Sequence, residues 1–336
     1  DGLDDPSANY GIGSVRGSNF ADTYIGGLGN DNFRGQSGSD IIDGGFGSFD
    51  QVDYRNSTAG VDINLLTGVG QDGFGDTDTI TNVERIRGSE FADTLIGDSG
   101  DNRIRGEAGA DVIDGGFGVD EANYDSNAAG GVTVNLSTGV ATDQSGATDT
   151  LSNIENVTGS EFNDTLTGNA SDNVLDGLEG ANLLVASAGN DTLKGSNFGE
   201  RGDFNQVDYS AGTTPLTVNL GVTDSLGTVT SSTFGTDTLQ NIDRIFGGSG
   251  DDVFTRGTLH QGNFGSFVEF EGLGGNDTFN GVSGQSMRVG YSRSTSAVTV
   301  DLSAGTALDG FGGTDTIANA SQVRGSAFDD VLTGSA

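Results

Sequence analysis

Carboxylates recur at a fixed spacing beside glycine throughout this chain, and oxygen ligands so placed suit a hard cation. Residues 17–54 read GSNFADTYI, GGLGNDNFR, GQSGSDIID and GGFGSFDQVDY. In the second of these units Gly26, Gly27 and Gly29 precede Asp31, and the large side chain of Phe33 follows. Glycine permits positive φ and close backbone approach, so carbonyl oxygens can converge, while the aspartate adds an anionic oxygen of the kind calcium prefers.

Other chemistry is scarce. His260 is the sole histidine and Cys is absent, so a histidine zinc site, a Ser-His-Asp triad and a Cys-His pair are each unavailable or nearly so, and His260 reads as a solvated loop residue rather than a general base. No GxSxG, HExxH or Walker sequence occurs. Acid pairs at a fixed period are better explained by metal binding than by glycoside hydrolysis. The residues therefore predict no enzyme.

The elements that must position these carboxylates are short. Six residues of glycine and acid alternate with three residues carrying one large apolar side chain, which reads as a turn followed by a very short strand. Apolar residues recur at nine or at two and not at three and four, so strands are expected and helices are not. Strands of three residues become stable only when stacked in coils that continue a narrow apolar stripe.

Composition agrees with that picture. With 59 Gly, 2 Pro, no Trp and 33% hydrophobic residues in 336, one thick globular core is excluded. The formal charge is −35, from 49 acidic and 14 basic residues, which excludes nucleic acid and anionic membrane as partners. Such a chain should be disordered alone. Roughly a dozen bound calcium ions would cancel most of the charge, and metal binding would then be folding. No apolar run approaches the length of a bilayer span.

Self-similarity organises the whole length. Complete copies occupy residues 17–87, 88–158, 159–246 and 247–324, flanked by partial copies at 1–16 and 325–336. Each front half is nonapeptides, and each back half carries an alternating strand (VDINL, VTVNL, TVNL, TVDL), a Gly/Asp-rich loop and then DTI or DTL. Seven strands are clear per copy, and length favours an eighth over residues 66–71, giving four coils. The third copy gains one nonapeptide, ASAGNDTLK, and the fourth loses the beat over residues 256–271. Neither change reads as a domain boundary, so one continuous array over 1–336 is expected.

On these nonapeptides the chain resembles the RTX (repeats-in-toxin, haemolysin-type) calcium-binding β-roll proteins. The match to GGxGxDxUx is complete at residues 26–34, with close variants at Gly35, Gly97, Gly106, Gly115 and Gly272. The resemblance implies an all-β, right-handed parallel β-roll of about 18 residues per coil, with calcium ions in the turns. It also implies export by a type I secretion system, with folding in calcium-rich surroundings. Carried over residue by residue, the sixth-position aspartate falls on Asp22, Asp31, Asp40, Asp93, Asp111, Asp120, Asp164, Asp191, Asp252, Asp277 and Asp330. Turns on one side are two units apart, so Asp22 should share an ion with Asp40, and Asp93 with Asp111. Asn102, Asn173 and Asn182 keep an oxygen but lose the charge, which predicts weaker turns. Phe20, Phe91, Phe162 and Phe328 replace the fourth-position glycine, and their rings are expected to cover the end of the core.

A further spacing is independent of that family. Asp78 precedes Asp93 by 15 residues (93 − 78), and Asp149, Asp237 and Asp315 precede Asp164, Asp252 and Asp330 in the same way. Each pair is expected on one side of the roll, one tight coil apart, with a calcium site between them. Roughly ten or more ions are expected in all.

The functional expectation is a calcium-folded structural or adhesive segment of a larger secreted bacterial protein at the cell surface, such as an adhesin, an S-layer or a matrix protein. The alternatives are an accessory module of a secreted polysaccharide-acting enzyme, such as the mannuronan epimerases, and a glycan- or ice-binding face. Neighbouring copies and polysaccharide are the macromolecular partners to consider. Arg85, Arg87, Arg103 and Arg105 can form an outward ladder for acidic polysaccharide, or can simply offset nearby acids.

Overall fold

Stacked three-residue strands with one inward side chain each account for nearly all of the regular structure. The computed structural model describes residues 13–126, 130–196, 203–223, 226–257 and 267–335. His260, most of the partial copy at 1–16 and part of the irregular stretch 256–271 lie outside the described residues. Among the described residues there is no helix, and none is therefore long and apolar enough to cross a membrane. The chain divides into two compact units, Asp1–Thr158 and Gly159–Ala336, at the start of the third copy.

In the first unit one sheet is parallel throughout. Its order is Ser14–Arg16, Asn32–Arg34, Gln51–Asp53, Arg85–Arg87, Arg103–Arg105, Glu121–Asn123 and Asn156–Thr158. Where two nonapeptides separate neighbours the register step is 18 residues, as between Val15 and Phe33 or Leu95 and Ile113. The central residue of each strand points inward, so Phe33, Val52, Ile86 and Ile104 from this sheet meet Tyr24, Ile42, Ile80 and Leu95 from the other in a dry core. The roll of about 18 residues per coil is the fold that the nine-residue beat predicts.

The second sheet departs from that expectation. Its order is Thr23–Ile25, Ile41–Asp43, Thr77–Thr81, Val69–Gln71, Asp62–Asn64, Thr94–Ile96, Val112–Asp114, Thr148–Ser152, Val140–Thr142 and Thr133–Asn135. The eighth strand of each copy exists, but it runs antiparallel. After Gln51–Asp53 the chain skips two strand positions to Asp62–Asn64, then returns through Val69–Gln71 and Thr77–Thr81 as a three-stranded meander. Eight strands thus make three coils per copy and not four. Asn82 and Asn153, at φ 51° and 52°, turn the chain from the meander back to the first sheet, a left-handed conformation asparagine tolerates.

The second unit uses the same grammar with one change. The meanders of copies three and four are Thr217–Thr223, Leu226–Ser231, Gly235–Gln240 and Thr299–Asp301, Thr306–Leu308, Thr314–Ala318. Copy three opens with Thr165–Thr167, which shares a sheet with Leu183–Val185, Gln206–Asp208 and Arg244–Phe246. Its meander lies in the other sheet, beside Thr192–Lys194. The extra nonapeptide is half a coil, so everything after it changes sheets, and copy four opens with Val253–Arg256 next to Thr217–Thr223 in the meander-bearing sheet.

The core is one residue wide per strand, so truncation there leaves a hole that neighbouring coils cannot fill. Leu95→Ala, at a position with no solvent exposure, is expected to cost about 2–5 kcal/mol, measured by chemical denaturation in saturating calcium.

Candidate metal-binding turns

Successive turns are joined by a hydrogen bond from a backbone amide into a carboxylate or, at Asn182 and Asn205, an amide oxygen of the next coil. In the first unit the Asp22 N–H donates to Asp40 Oδ1 at 2.8 Å, and the Asp93 N–H to Asp111 Oδ1 at 2.9 Å. These pairs stack as their two-unit spacing requires. On the opposite side Asp31 donates to Asp50 Oδ1 (2.7 Å) and Asn102 to Asp120 Oδ1 (2.7 Å). Within the second unit the same bond joins Asp164 to Asn182, Asn173 to Asp191, and Asp252 to Asp277, at 2.8 to 2.9 Å. At the last copy Asp330 Oδ1 accepts the Val298 N–H (2.9 Å).

The carboxylates of the back halves end these ladders, but not where their spacing predicts. Asp78 Oδ1 accepts the N–H of Asp40 (2.9 Å), while Asp93 Oδ1 accepts that of Val61 (2.8 Å). Two meander strands, Val69–Gln71 and Asp62–Asn64, separate the strand of Asp78 from the strand that follows Asp93. The expected pairing of Asp78 with Asp93 is therefore corrected to Asp78 with Asp40. The equivalents behave alike: Asp149 accepts from Asp111 (3.0 Å), Asp237 from Asp191 (2.9 Å) and Asp315 from Asp277 (3.0 Å). The second oxygen of each takes a buried tyrosine hydroxyl, from Tyr54, Tyr124, Tyr209 and Tyr291, at 2.8 to 3.1 Å.

Three residues of the same kind escape the nonapeptide count. Asp50 is displaced by one inserted residue in GGFGSFD, and the pattern sought at position six passes over it. Glu84 and Glu155 receive the N–H of Asp50 and Asp120 through Oε2 at 2.9 Å, ending the ladder on the other side. Their signal is that each stands two residues after the asparagine following the meander, in NVE and NIE.

What the second oxygen of each turn carboxylate meets decides which turns need a cation. In the units that open copies two and three it meets serine: the Ser89 and Ser160 N–H groups donate to Asp93 and Asp164 Oδ2, and their hydroxyls to Oδ1. In copy one Ser18 donates both its N–H and its hydroxyl to Asp22 Oδ2, and these bonds hold that carboxyl below the usual range. The phenylalanines of these units do not cover the core: Phe20 is 79% exposed and Phe328 52%. Asp31 and Asp252 are met by the N–H groups of Gly27 (3.0 Å) and Gly248 (2.9 Å).

By contrast, Oδ2 of Asp40, Asp50, Asp111, Asp120 and Asp277 is buried and has no hydrogen-bond donor. Burying an anion without a partner is costly. Backbone oxygens crowd the same turns: the point where a Cβ would sit on Gly47 is 2.6 Å from Gly29 O and 2.5 Å from Asp50 Oδ2. At Gly26 the corresponding point is 2.0 Å from Gly44 O and 2.8 Å from Asp31 Oδ2, which excludes any side chain. Among the described residues no three acidic side chains converge on one point, so an ion here draws on one or two carboxylates and on carbonyls. That is an all-oxygen donor set, and it fits calcium. Asn182 shows the alternative: its Nδ2 donates to the carbonyls of Gly177 (2.9 Å), Leu178, Glu179 and Gly180 (3.2 to 3.3 Å), filling the cradle with its own amide.

Residues 16–48, 87–122, 154–196 and 235–258 match the family model of the RTX calcium-binding nonapeptide repeat, in four copies. These segments are RTX calcium-binding repeats. The match to residues 16–48 contains Asp22, Asp31 and Asp40, and the match to 87–122 contains Asp93, Asp111 and Asp120. No curated protein matches the chain. RTX repeats are structural calcium-binding elements, and of the turn carboxylates described above Asp22, Asp31, Asp40, Asp93, Asp111, Asp120, Asp164, Asp191 and Asp252 lie within the matched segments, whereas Asp50, Asp277 and Asp330 lie outside them.

Burial, reinforced by neighbouring carboxylates, raises Asp111 and Asp277 to about 8 and Asp50 and Asp120 to about 6. These groups titrate near 3.8 when unfolded, so without metal the folded state binds more protons between the two values. Stability of the metal-free chain is expected to be greatest below about pH 4 and to fall as pH rises through 6 to 8. Calcium should abolish this trend, as followed by circular dichroism across pH with and without the ion. Tyr54→Phe leaves Asp78 Oδ2 without its donor and is expected to cost about 1–3 kcal/mol, read from denaturation in saturating calcium.

Proposed function

We propose that the chain is a calcium-folded structural segment, with an adhesive or scaffolding role, of a larger secreted bacterial surface or matrix protein. One continuous roll over residues 1–336, located outside the cell, is part of this reading. The observation that carries it is the set of buried carboxylate oxygens at Asp40, Asp50, Asp111, Asp120 and Asp277 that have no protein donor. A chain of net charge −35 that buries such groups needs cations to fold.

The outward arginines support the duller of their two readings. Arg87 pairs with Glu107, Arg103 with Glu121 at 3.1 Å, and Arg105 with Glu107 and Asp125 at 3.9 and 3.7 Å. Arg85 lies against the Phe49 ring, 4.6 Å from its centroid. A ladder that is already mostly neutralised offers little to an acidic polysaccharide.

Circular dichroism in a calcium chelator should show a disordered chain that gains β signal as free calcium rises to about 10⁻⁴–10⁻³ M, the range of extracellular calcium modules. A chain fully folded in chelator at neutral pH would overturn the reading.

A further inference from the structure

Acidic residues outside the nonapeptide motif recur with a second spacing. Asp40, Asp72 and Asp78 are separated by 32 and 6 residues (72 − 40, 78 − 72), as are Asp111, Asp143 and Asp149, and Asp277, Asp309 and Asp315. Strand pairing explains why. Ile41–Asp43 lies beside Thr77–Thr81, and Thr278–Asn280 beside Thr314–Ala318. The nonapeptide turn before the first strand of each pair thus stacks on the meander loop before the second. The Gly38 N–H donates to Asp76 Oδ2 at 2.9 Å, and the Thr314 N–H to Asn276 Oδ1 at 3.0 Å.

Within each loop one aspartate oxygen is fully used and the other is not. Asp72 Oδ1 accepts the N–H groups of Phe74, Gly75 and Asp76, and Asp309 Oδ1 those of Phe311, Gly312 and Gly313, at 2.8 to 3.0 Å. Oδ2 of Asp72 and of Asp309 has no partner, and neither residue is exposed at all. The turn each loop stacks on contributes a second such oxygen, Oδ2 of Asp40 and of Asp277, in residues 1% exposed. In copy four a carbonyl stands beside them: the Cβ position of Gly313 is 1.8 Å from Gly275 O and 2.7 Å from Asp309 Oδ2. Asp72 and Asp309 also raise the pKa of Asp40 and Asp277, secondary to burial.

The second position of these turns is what leaves the oxygen unmet. Gln36 and Leu273 have φ of 75° and 69°, where Gly27 and Gly248 instead turn an N–H onto the aspartate of their own unit. Copy three is an internal control. There Ser187 at the second position gives its hydroxyl to Asp191 Oδ2 (2.9 Å), and Ser231 stands six residues before Asp237 (237 − 231), where the other copies have aspartate. The loop carboxylate is missing where the turn oxygen is already satisfied. Copy two is intermediate: Asp111 Oδ2 lacks a donor, but the Ser145 hydroxyl lies 2.8 and 2.9 Å from the two oxygens of Asp143.

We propose that in copies one and four the meander loop and the nonapeptide turn beneath it jointly bind a divalent cation of the calcium type. Asp72 and Asp40 are its carboxylates in copy one, and Asp309 and Asp277 in copy four. Hard, anionic and carbonyl oxygens with no competing nitrogen or sulfur donor select that class of ion. The ion ties the antiparallel meander to the parallel roll. This site rests on the calcium-folded reading given above, and it adds residues that the nonapeptide does not contain.

Equilibrium dialysis against calcium alone counts the ions bound by the full chain, with circular dichroism in saturating calcium as the check on folding. Asparagine keeps the oxygen that the three loop amides need, so D72N and D309N should each fold and bind one ion fewer, and D72N/D309N two fewer. S187Q/S231D, which places at the second position the residue that leaves the turn oxygen unmet in copy one, should gain one ion in copy three. A wild-type chain that binds calcium together with a D72N/D309N chain that binds as many overturns this site alone. A wild-type chain that binds none overturns the calcium reading with it. If D72N/D309N does not fold, an unchanged count for S187Q/S231D overturns the proposal.

Discussion

The fold depends on a hydrogen bond from the amide of one turn aspartate to a carboxylate oxygen one coil later. It sets the register, because only one residue per turn presents that oxygen. It also buries an anion in most coils, and a buried carboxylate with one oxygen satisfied still has another to place. The chain answers this demand in several ways: serine at Asp93 and Asp164, glycine amides at Asp31 and Asp252, tyrosine at Asp78 and its equivalents. Asn182 removes the charge altogether and turns its amide onto the carbonyls. The turns with none of these answers are the ones whose electrostatics call for a cation.

The nine-residue beat carried most of the fold, because a strand with one inward residue leaves one large apolar letter in each nine. Tyr24, Phe33 and Ile42 stand at those letters and are buried. The meander was illegible for a related reason. In copy one its middle strand has no room for a large side chain: a Cβ on Gly70 would lie 2.9 to 3.0 Å from Ile80, Ile63 and the Tyr54 hydroxyl, and Ala141 and Ala307 occupy the same place in copies two and four, with Val229 there in copy three. Without an apolar letter, Val69–Gln71 reads as loop, and its direction cannot be inferred.

That one hidden strand accounts for the mistaken partner of Asp78. Fifteen residues separate it from Asp93, and in an unbroken roll that distance is one coil. Chain separation stops measuring spatial separation once the path doubles back. Asp50 was missed on a smaller scale, since a single inserted residue moves a ligand out of a fixed template while the turn still delivers it to the same place. The opening phenylalanines fell the other way: apolar type suggested burial, but the fourth position of a turn faces solvent.

The extra nonapeptide of copy three makes the second unit a counter modulo two. After it the meander and the opening strand of copy four change sheets, while copy four, with an even count, hands its face unchanged to Val331–Thr333 beside Thr299–Asp301. For a gene that grows by duplicating short repeats, odd and even duplications are therefore different events. An even one lengthens the protein and preserves which residues look outward on each side. An odd one inverts everything downstream, so a single slip of 27 nucleotides, three for each of the nine residues ASAGNDTLK, redraws two surfaces without altering one residue of either.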